Sequence, residues 1–236
     1  MSKLLPWHYD ELNCFAVDYN DTKVAAKYDK DHEGIRNFEQ EAQVIMDSLG
    51  LDNNAAVMDI GCGTGAFSLY AARKYKKVYA VDVSEAMLDC CRQKAESAQV
   101  KNIEFHIGGF LSYEHSGPPV DAVVSSIALH HLPDFWKLVG LRNIAKMIKP
   151  KGKLYLVDTV YSFDIDDYIN SLNGWVESLS KQANLEFTKD IETAIRSEYA
   201  TLDWIMEGIL QRAGFKIDTT KYHDCFVASY LCTKQS

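Results

Sequence analysis

One segment constrains the fold of this chain more than any other. It consists of an apolar run, a glycine-rich loop and a second apolar run, and each run carries an acid near its end. It reads Val57-Met58-Asp59-Ile60-Gly61-Cys62-Gly63-Thr64-Gly65 and continues, after a helical pattern, to Val78-Tyr79-Ala80-Val81-Asp82. Glycines let a backbone approach a ligand closely, and a carboxylate at a strand tip can accept hydrogen bonds from both ribose hydroxyls. The segment therefore predicts a strand-turn-helix-strand unit that binds a nucleoside.

Two cofactor classes use such a unit. Gly61, Gly63 and Ala66 satisfy the dinucleotide spacing, and Asp82 follows Gly61 by 21 residues, as a nicotinamide dinucleotide (NAD) site requires. Asp59, however, would lie beside the pyrophosphate, where like charges repel each other. S-adenosylmethionine (SAM) instead carries an ammonium and a sulfonium, which a carboxylate attracts. The residues therefore favour SAM over NAD.

Two further segments extend this pattern into a family resemblance. Residues 59–65 resemble motif I of the class I SAM-dependent methyltransferases, residues 125–134 resemble the segment after their fourth strand, and residues 148–158 resemble the helix-turn-strand that follows. Together they look most like the small-molecule branch related to ubiquinone and menaquinone biosynthesis methyltransferases. The resemblance covers about residues 35–160 well. It implies a Rossmann-like, doubly wound, seven-stranded α/β sheet and methyl transfer to a small-molecule acceptor.

The middle of the chain alternates between apolar runs and helical periodicity. Strands are predicted at residues 55–60, 77–82, 102–107, 121–126 and 153–158, and helices near 35–49, 64–76, 85–98 and 134–149. Such alternation predicts a parallel sheet that is covered on both faces. Ligands bind outside the carboxyl ends of these strands. Asp59, Asp82, Ser126 and Asp158 all fall at or near those ends, which predicts a single site.

The alternation stops after Asp158. Residues 161–200 predict two helices, and residues 215–221 and 225–232 predict an antiparallel C-terminal hairpin at the sheet edge. Residues 1–34 are polar and rich in aromatic side chains, and we call them the N-terminal arm. We expect one methyltransferase domain over residues 1–236. The arm and the 161–200 insertion are expected to form a helical cap over the site, because the resembled family builds its cap there.

Most predicted cofactor contacts come from the glycine loop and from the tip of the second strand. The backbone N–H groups of the loop would bind the methionine carboxylate, Asp59 would hold the ammonium or instead cap the loop, and Asp82 would bind the ribose. Val83 and Met87 would pack on adenine or belong to the core, and Tyr28 lies in a stretch similar to the family's closing arm. The predicted set is Tyr28, Asp59, Gly61, Cys62, Gly63, Gly65, Asp82, Val83, Met87, Gly109, Phe110 and Ser126.

One departure from the resembled family concerns adenine. That family usually carries Gly-Asp after the third strand, and the aspartate accepts a hydrogen bond from the adenine amino group. This chain has Gly109 where that aspartate is expected. Recognition of adenine then falls to backbone groups around Phe110, to a water molecule, or to another residue such as Ser112.

Methyl transfer is an in-line displacement that needs alignment and exclusion of water. A hydroxyl or amine acceptor also needs a base, whereas a thiol or activated carbon does not. His130 follows the fourth strand and is the candidate base, with Asp158 as its orienting partner, although His130 could instead cap the loop. The candidates for an aromatic cage around the sulfonium are Tyr19, Tyr28, Trp175, Tyr199 and Trp204.

Composition limits the partners. The net charge is -8 and no Lys/Arg-rich run is present, which argues against nucleic acid. Apolar stretches are strand-sized, so no membrane span is expected, and the N-terminus lacks a signal-type apolar region, which predicts a cytoplasmic protein. The six cysteines lack zinc spacing, so we expect reduced thiols and no metal. The oligomeric state stays open. The alternatives are a catalytically inactive SAM-binding sensor or partner protein and, less favoured, an NAD-dependent oxidoreductase.

Overall fold

A computed structural model describes residues 5–12, 17–32, 36–181 and 185–235, with backbone alone for 185–187. Eight strands and eight α-helices lie along these residues. The strands are β1 (Ala56–Ile60), β2 (Lys77–Asp82), β3 (Ile103–Ile107), β4 (Val120–Ser126), β5 (Ile148–Tyr161), β6 (Thr201–Leu202), β7 (Phe215–His223) and β8 (Val227–Lys234). The helices are α1 (Thr22–Asp31), α2 (Phe38–Leu49), α3 (Ser68–Lys74), α4 (Glu85–Ser97), α5 (Asp134–Met147), α6 (Tyr168–Ser180), α7 (Leu185–Ser197) and α8 (Asp203–Arg212).

The strands form one sheet in the order β3-β2-β1-β4-β5-β8-β7, with the two-residue β6 paired to the end of β5. The first five strands in this order, β3, β2, β1, β4 and β5, are parallel to one another. Strand β8 pairs antiparallel with both β5 and β7. The strand order reverses between β1 and β4, which places a crevice at their carboxyl ends. The predicted doubly wound sheet with an antiparallel C-terminal hairpin is confirmed, and β6 is an addition to it.

Alternate residues of the buried strands enter two separate cores, as the two-residue period of a strand requires. Met58 and Ile60 pack with the buried faces of α5 and α8. Val57 and Val78 pack on the opposite face with residues of α2 and α3. Because both faces are covered, β1 and β2 are apolar almost throughout, and their ends are fixed rigidly beneath the site.

Several local signals in the sequence have the expected structure. Gly50 ends α2 in the left-handed conformation, and Ser84 caps α4 by accepting a hydrogen bond from the Met87 N–H at 3.1 Å. The described cysteines Cys62, Cys90, Cys91, Cys225 and Cys232 are free thiols, and Cys14 lies outside the described residues.

Several predicted boundaries differ: among them, α5 ends at Met147 and β5 begins at Ile148 and not at residue 153. The helix predicted at 64–76 begins only at Ser68, because the glycine loop stays in turns through Phe67. Strand β5 continues beyond Asp158 to Tyr161, since β8 and β6 provide partners for its backbone. The hairpin turn lies at Asp224 and Cys225, which both have positive φ angles of 49° and 63°. This conformation is typical of tight hairpin turns. Ile35, the predicted first residue of α2, lies outside the described residues.

The described part of the N-terminal arm lies against the helical layer beside β2. Tyr19 and Tyr28 pack on the cluster formed by Ala25, Ala86 and Met87, and the Ser84 hydroxyl donates to the Tyr19 carbonyl at 2.7 Å. Helices α6 and α7, which pack on each other, follow the far end of β5. Across the described ranges, every helix is too short or too polar to traverse a lipid bilayer.

Candidate functional site

A cavity of about 130 Å³ opens at the carboxyl ends of β1, β2 and β4, and we call it the inner cleft. It lies at the reversal of strand order, where this kind of sheet binds ligands. The predicted cofactor residues that line it are Tyr28, Asp59, Gly61, Cys62, Gly63, Asp82, Val83, Met87, Gly109, Phe110 and Ser126. The structure therefore brings together at one cleft every residue of the predicted cofactor set except Gly65.

Glycine occupies the three loop positions for different structural reasons. Gly61, Gly63 and Gly65 have positive φ angles of 73°, 52° and 88°, which favour glycine. A methyl group on Gly61 would come within 2.4 Å of Ala128 Cβ, and one on Gly65 within 2.3 Å of Cys91 Sγ. Gly65 thus permits packing against α4 and does not line the cleft. Of the three loop glycines, Gly61 and Gly63 lie in the cleft wall.

Asp82 fixes the shape of the glycine loop from the tip of β2. The Gly63 N–H donates to Asp82 Oδ2 at 2.7 Å, and the Ser84 N–H donates to Oδ1 at 2.9 Å. Burial raises the pKa of this carboxyl group, although these backbone hydrogen bonds oppose the shift. Each carboxylate oxygen can accept more than one hydrogen bond, so Asp82 retains acceptor capacity toward the cleft.

Asp59 is more deeply placed than Asp82. It is 2% exposed, and the Ser68 hydroxyl donates to its Oδ2 at 2.7 Å, which ties the end of β1 to the start of α3. Burial raises the pKa of Asp59 to about 7, against the lowering effect of the Ser68 hydrogen bonds. Both predicted roles, holding an ammonium and capping the loop, are compatible with this position.

A carboxylate from the N-terminal arm fills the space above Gly109. The N–H groups of Leu111 and Ser112 donate to the Glu11 carboxylate at distances from 2.7 to 3.1 Å. A methyl group on Gly109 would lie only 2.6 Å from Glu11 Oε2 and 2.8 Å from Val83 Cγ1. Glu11 also lines the inner cleft. Sequence reasoning missed this residue, since about 100 positions separate Glu11 from the residues it binds.

A second and larger cavity of about 1200 Å³ adjoins the inner cleft, and we call it the outer chamber. It lies between the end of β5, the helices α1 and α2, and the helices α6 and α7. The residues that line both cavities are Tyr19, Tyr28, Arg36, Glu41, Ile45, Ser126 and Ile127. A ligand in one cavity therefore shares a wall with a ligand in the other.

The shared wall contains two features that sequence reasoning missed. The Arg36 guanidinium binds Glu41 through two nitrogens and donates to Ser126 Oγ at 3.3 Å. Ile127, which directly follows β4, has a φ angle of 53°, an uncommon conformation for a β-branched side chain. Arg36 reaches Ser126 from 90 positions away, and backbone strain at Ile127 leaves no pattern in the sequence, which is why neither residue was predicted.

His130 is clamped between two carboxylates beside the outer chamber. Its Nδ1 lies 2.6 Å from Asp158 Oδ1, and its Nε2 lies 3.2 Å from Glu198 Oε2. The His130 backbone N–H also donates to Asp158 Oδ2 at 3.0 Å. His130 and Asp158 are buried, whereas Glu198 keeps 11% of its side chain exposed. Both ring nitrogens of the predicted base are thus already paired.

The two carboxylates control the charge of His130. Burial alone lowers its pKa, but the charge and hydrogen bond of Asp158 and the hydrogen bond to Glu198 together raise the pKa to about 10. For Glu198, burial raises the pKa, and the bond to His130 reverses this effect and leaves the pKa below its usual value. His130 is therefore an imidazolium at neutral pH, and Glu198 is ionised.

His131 lies on the other side of this pair and lines the inner cleft. Burial and the neighbouring His130 charge lower its pKa to about 4, so the ring is neutral. One ligand atom each of His130, His131 and Glu198 lies within 4.8 Å of the others, which is a geometry that could hold a metal ion. The sequence predicts no metal, and Glu198 is already paired with the charged His130.

The predicted cage aromatics separate into four positions. Tyr19 and Tyr28 line both cavities, and Trp175 lines the outer chamber, where its ring stacks on Phe226 at 4.5 Å. Tyr199 packs edge-on against Tyr9 and lines neither cavity, so it does not take the predicted cage position. Trp204 is 68% exposed on α8 and lines neither cavity, so its prediction as a cage residue is wrong. Its aromatic side chain lies on the solvent face of that helix.

Comparisons with known proteins place the chain in a family. Residues 57–152 match the family described as methyltransferase domain. An uncharacterized methyltransferase of Bacillus cereus is 30% identical over 179 residues, which cover 76% of this chain and 77% of that protein. A second uncharacterized methyltransferase, from Bacillus mycoides, is 28% identical over the same shares.

Solved structures show the same fold at low identity. Magnesium protoporphyrin IX methyltransferase from Synechocystis, with bound SAM, has a TM-score of 0.68 and 17% identity, and the match covers 98% of this chain and 100% of that one. A [4+2]-cyclase has a TM-score of 0.65 and 16% identity, over 83% of this chain and 80% of that one. The fold alone therefore does not define the reaction, but the family match does. The chain belongs to the class I SAM-dependent methyltransferases, and SAM is its cofactor.

Proposed function

We propose that this enzyme methylates an oxygen or nitrogen atom of a small molecule that occupies the outer chamber. One observation supports this proposal above the others: the chamber shares a wall with the inner cleft, and the Glu198–His130 pair lies beside that wall. Bound SAM supplies an electrophilic methyl group. The chain's own residues must then position the acceptor, receive its proton and exclude water.

The predicted cofactor contacts remain our proposal for the inner cleft. Asp82 would bind the ribose, Asp59 the ammonium, and the Gly61 and Gly63 backbone the carboxylate. Two buried carboxylates, Asp59 and Asp82, face one cleft. These hydrogen-bond acceptors fit a molecule that has a diol and a cationic end. Gly65 would act through packing alone.

The walls of the outer chamber favour an acceptor with an apolar body. Tyr155, Val157, Tyr161, Trp175 and Ile191 supply an aromatic and aliphatic surface, while lysines and acids of the arm lie on another side. We therefore propose that the chain belongs to the small-molecule branch that resembles ubiquinone and menaquinone biosynthesis methyltransferases. The composition of the walls also supports the cap arrangement, in which the arm and the 161–200 insertion enclose the acceptor within one domain.

The roles of His130 and Asp158 as catalytic residues stay predictions, and the geometry supports a specific version of them. His130 is charged and paired at both nitrogens, so it is a poor base in this state. We assign the contact with the acceptor to Glu198, which accepts a hydrogen bond from the acceptor's O–H or N–H and receives the proton as the nucleophile gains the methyl group. His130 and Asp158 hold Glu198 in position.

The alternative of a catalytically inactive SAM-binding protein predicts no enclosed space for an acceptor. The outer chamber counts against this alternative. No described feature supplies an argument for an NAD-dependent oxidoreductase, and the family membership argues against it. A cytoplasmic location remains a prediction from the sequence.

The test is formation of S-adenosylhomocysteine from SAM with panels of hydroxyl, amine and thiol small molecules, followed by mass spectrometry of the methylated product. Product from hydroxyl or amine compounds, absent with Asp82→Ala, would support the proposal. Product from thiols alone would contradict the proposed nucleophile. Binding of SAM without product in any panel would favour the sensor alternative.

A further inference from the structure

The adenine end of the inner cleft holds a carboxylate that comes from an unexpected part of the chain. Glu11 belongs to the N-terminal arm, yet its carboxylate lies between Val83 and the loop that follows β3. That loop donates to it through the N–H groups of Leu111 and Ser112, at 2.7 Å for the shortest contact. The carboxylate is thus built into the cleft wall.

The absence of a side chain at Gly109 is what makes this placement possible. Any Cβ there would lie 2.6 Å from Glu11 Oε2 and 2.8 Å from the carboxylate carbon. These distances are too short for atoms that are not bonded. Gly109 is outside the left-handed backbone region, so its conformation does not demand glycine. A Cβ there would displace the Glu11 carboxylate, which fills that space.

The rest of the arm holds Glu11 in register. Two residues earlier, the Tyr9 hydroxyl donates to the His131 carbonyl at 3.0 Å, and the His8 ring lies 4.7 Å from the Trp136 ring. These contacts attach the segment before Glu11 to the turn after β4 and to the start of α5. The position of the carboxylate therefore depends on two anchor points, the arm contacts and the β3 loop.

The bonding capacity of the carboxylate indicates its ligand. Glu11 Oε1 accepts from the N–H groups of Leu111 and Ser112, whereas within the described residues Oε2 accepts from Leu111 alone. A carboxylate oxygen has two acceptor positions, so Oε2 can accept one more hydrogen bond. The cofactor's donor at the base end is the exocyclic amino group of adenine, since Asp82 lies at the strand tip where ribose binds.

We infer that Glu11 accepts a hydrogen bond from the adenine amino group and sets the purine selectivity of the cofactor site. The acid that is missing at Gly109 is thereby supplied by the N-terminal arm. This inference rests on SAM being the cofactor. It also links cofactor binding to the arm that borders the outer chamber, because a bound adenine would hold the arm against the β3 loop.

The experiment compares two ligands by isothermal titration: S-adenosylhomocysteine, and S-inosylhomocysteine, in which an oxo group replaces the amino group. A carboxylate accepts from an amino group and repels an oxo group. The wild-type protein should prefer the adenosyl ligand by about tenfold to a hundredfold, the range of a hydrogen bond to a charged group. Glu11→Ala should reduce this preference to within about threefold. Asp10→Asn, a loss of charge at the neighbouring position, should keep it.

A second variant separates recognition from support of the loop. The double variant Glu11→Ala with Gly109→Asp places a carboxylate in the vacated space, and it should restore the preference for the adenosyl ligand. Equal weakening of both ligands by Glu11→Ala, with no rescue by the double variant, would overturn the inference and leave Glu11 as an anchor of the loop. An unchanged preference in Glu11→Ala would also overturn it. If the wild-type protein bound neither ligand, the cofactor assignment itself would fail.

Discussion

Asp158 holds His130 by two separate contacts, one at 2.6 Å to the ring Nδ1 and one at 3.0 Å to the backbone N–H. The first contact fixes the ring orientation, and the second fixes the turn that carries the ring. As a consequence, Nε2 faces Glu198 at the outer chamber. The end of β5 thereby determines the position of a carboxylate that lies 40 residues later in the sequence, near the end of α7.

The first prediction concerns Glu198 as the group that contacts the acceptor. Glu198→Gln should lower the rate of methyl transfer by about a hundredfold, in the range of general base catalysis. It should leave the affinity for S-adenosylhomocysteine within about twofold, because Glu198 does not line the inner cleft. Single-turnover rates and titration calorimetry would measure these effects separately.

The control for this prediction is Glu177→Gln, which alters an exposed carboxylate of α6 that pairs with Lys181. It should have the wild-type rate. A wild-type rate in Glu198→Gln would remove Glu198 from the proposed mechanism. If His130→Ala then proved slow while Glu198→Gln was normal, the original prediction of His130 as the base would be favoured.

The second prediction is a pH dependence of stability that depends on Asp158. The folded-state pKa of His130 is raised from 6.5 to about 10, so its stabilising charge is fully present below about pH 6.5 and is lost as pH rises through 10. Asp158→Asn should lower the free energy of unfolding by about 3 kcal/mol at pH 7, because the buried His130 charge loses its closer partner and keeps only Glu198. The difference from wild type should shrink between pH 8 and 10.

Urea denaturation at several pH values would test this prediction. Asp218→Asn is the matched control, since Asp218 pairs with Lys153 nearer the surface. It should cost at most about 1 kcal/mol, with little change between pH 7 and 9. A difference between Asp158→Asn and wild type that stays constant up to pH 10 would show that His130 is neutral in the folded protein.

Much of the site could be predicted because its residues follow strands directly. Asp82 and Ser126 end β2 and β4, and the parallel arrangement brings such ends to one edge whatever the rest of the chain does. Asp59 was found for the same reason. The hydrophobic pattern predicted these strands, and the positions of their ends predicted the cofactor residues.

The residues that sequence reasoning missed are brought in by long-range contacts. Glu11, Arg36 and Glu198 each lie outside the β-α alternation, and each contacts a residue 68 to 101 positions away in the chain, although Arg36 also binds the nearby Glu41. Such pairing leaves no local spacing to detect. Gly109 was the one available signal, since the missing acid left the partner of adenine open, but nothing in the sequence pointed to the N-terminal arm.

The third prediction separates two reasons for glycine in the loop. Gly61→Ala would place Cβ 2.4 Å from Ala128 Cβ in addition to imposing a left-handed backbone, whereas Gly63→Ala would meet no described atom within 4 Å. Gly63→Ala should therefore cost about 1–2 kcal/mol of stability from backbone strain alone. Gly61→Ala should cost at least about 1–3 kcal/mol more because of overpacking.

Chemical denaturation of both variants would measure this difference. Gly174→Ala, in α6, provides a reference, since added helix propensity should stabilise it by up to about 1 kcal/mol. Equal losses in Gly61→Ala and Gly63→Ala would show that Ala128 moves aside freely, and that the close contact does not constrain the loop.

The fourth prediction concerns metal removal. His130, His131 and Glu198 have a spacing that could hold an ion. Glu198, however, already forms an ion pair with His130. Dialysis against a chelator should therefore leave the rate of methyl transfer and the melting temperature unchanged. Metal analysis of the protein before dialysis would provide the reference. A loss of rate that added zinc or magnesium restores would contradict the prediction and identify a metal centre at these three residues.

The fifth prediction tests which of its two proposed roles Asp59 has. Burial raises the pKa of Asp59 to about 7, so the folded protein holds a proton there at pH 6 and releases it by pH 8. A ligand ammonium beside the carboxyl group would stabilise its charged form and lower the pKa. Binding would then release a proton near pH 6.5. As the pH is raised toward about 7, the affinity for S-adenosylhomocysteine should increase by up to tenfold per pH unit, and above pH 7 it should become constant.

Titration calorimetry in buffers of different ionisation enthalpy measures that proton release directly. Asp59→Asn keeps an oxygen that can accept from Ser68 but cannot ionise, so it should bind more weakly at pH 8 and show no proton release near pH 6.5. The variant also corrects for titration of the ligand's own amino group, which loses its proton at a higher pH than Asp59. If the wild-type protein and Asp59→Asn released equal numbers of protons, Asp59 would serve only to join the glycine loop to α3 through Ser68, and the ammonium would have another partner.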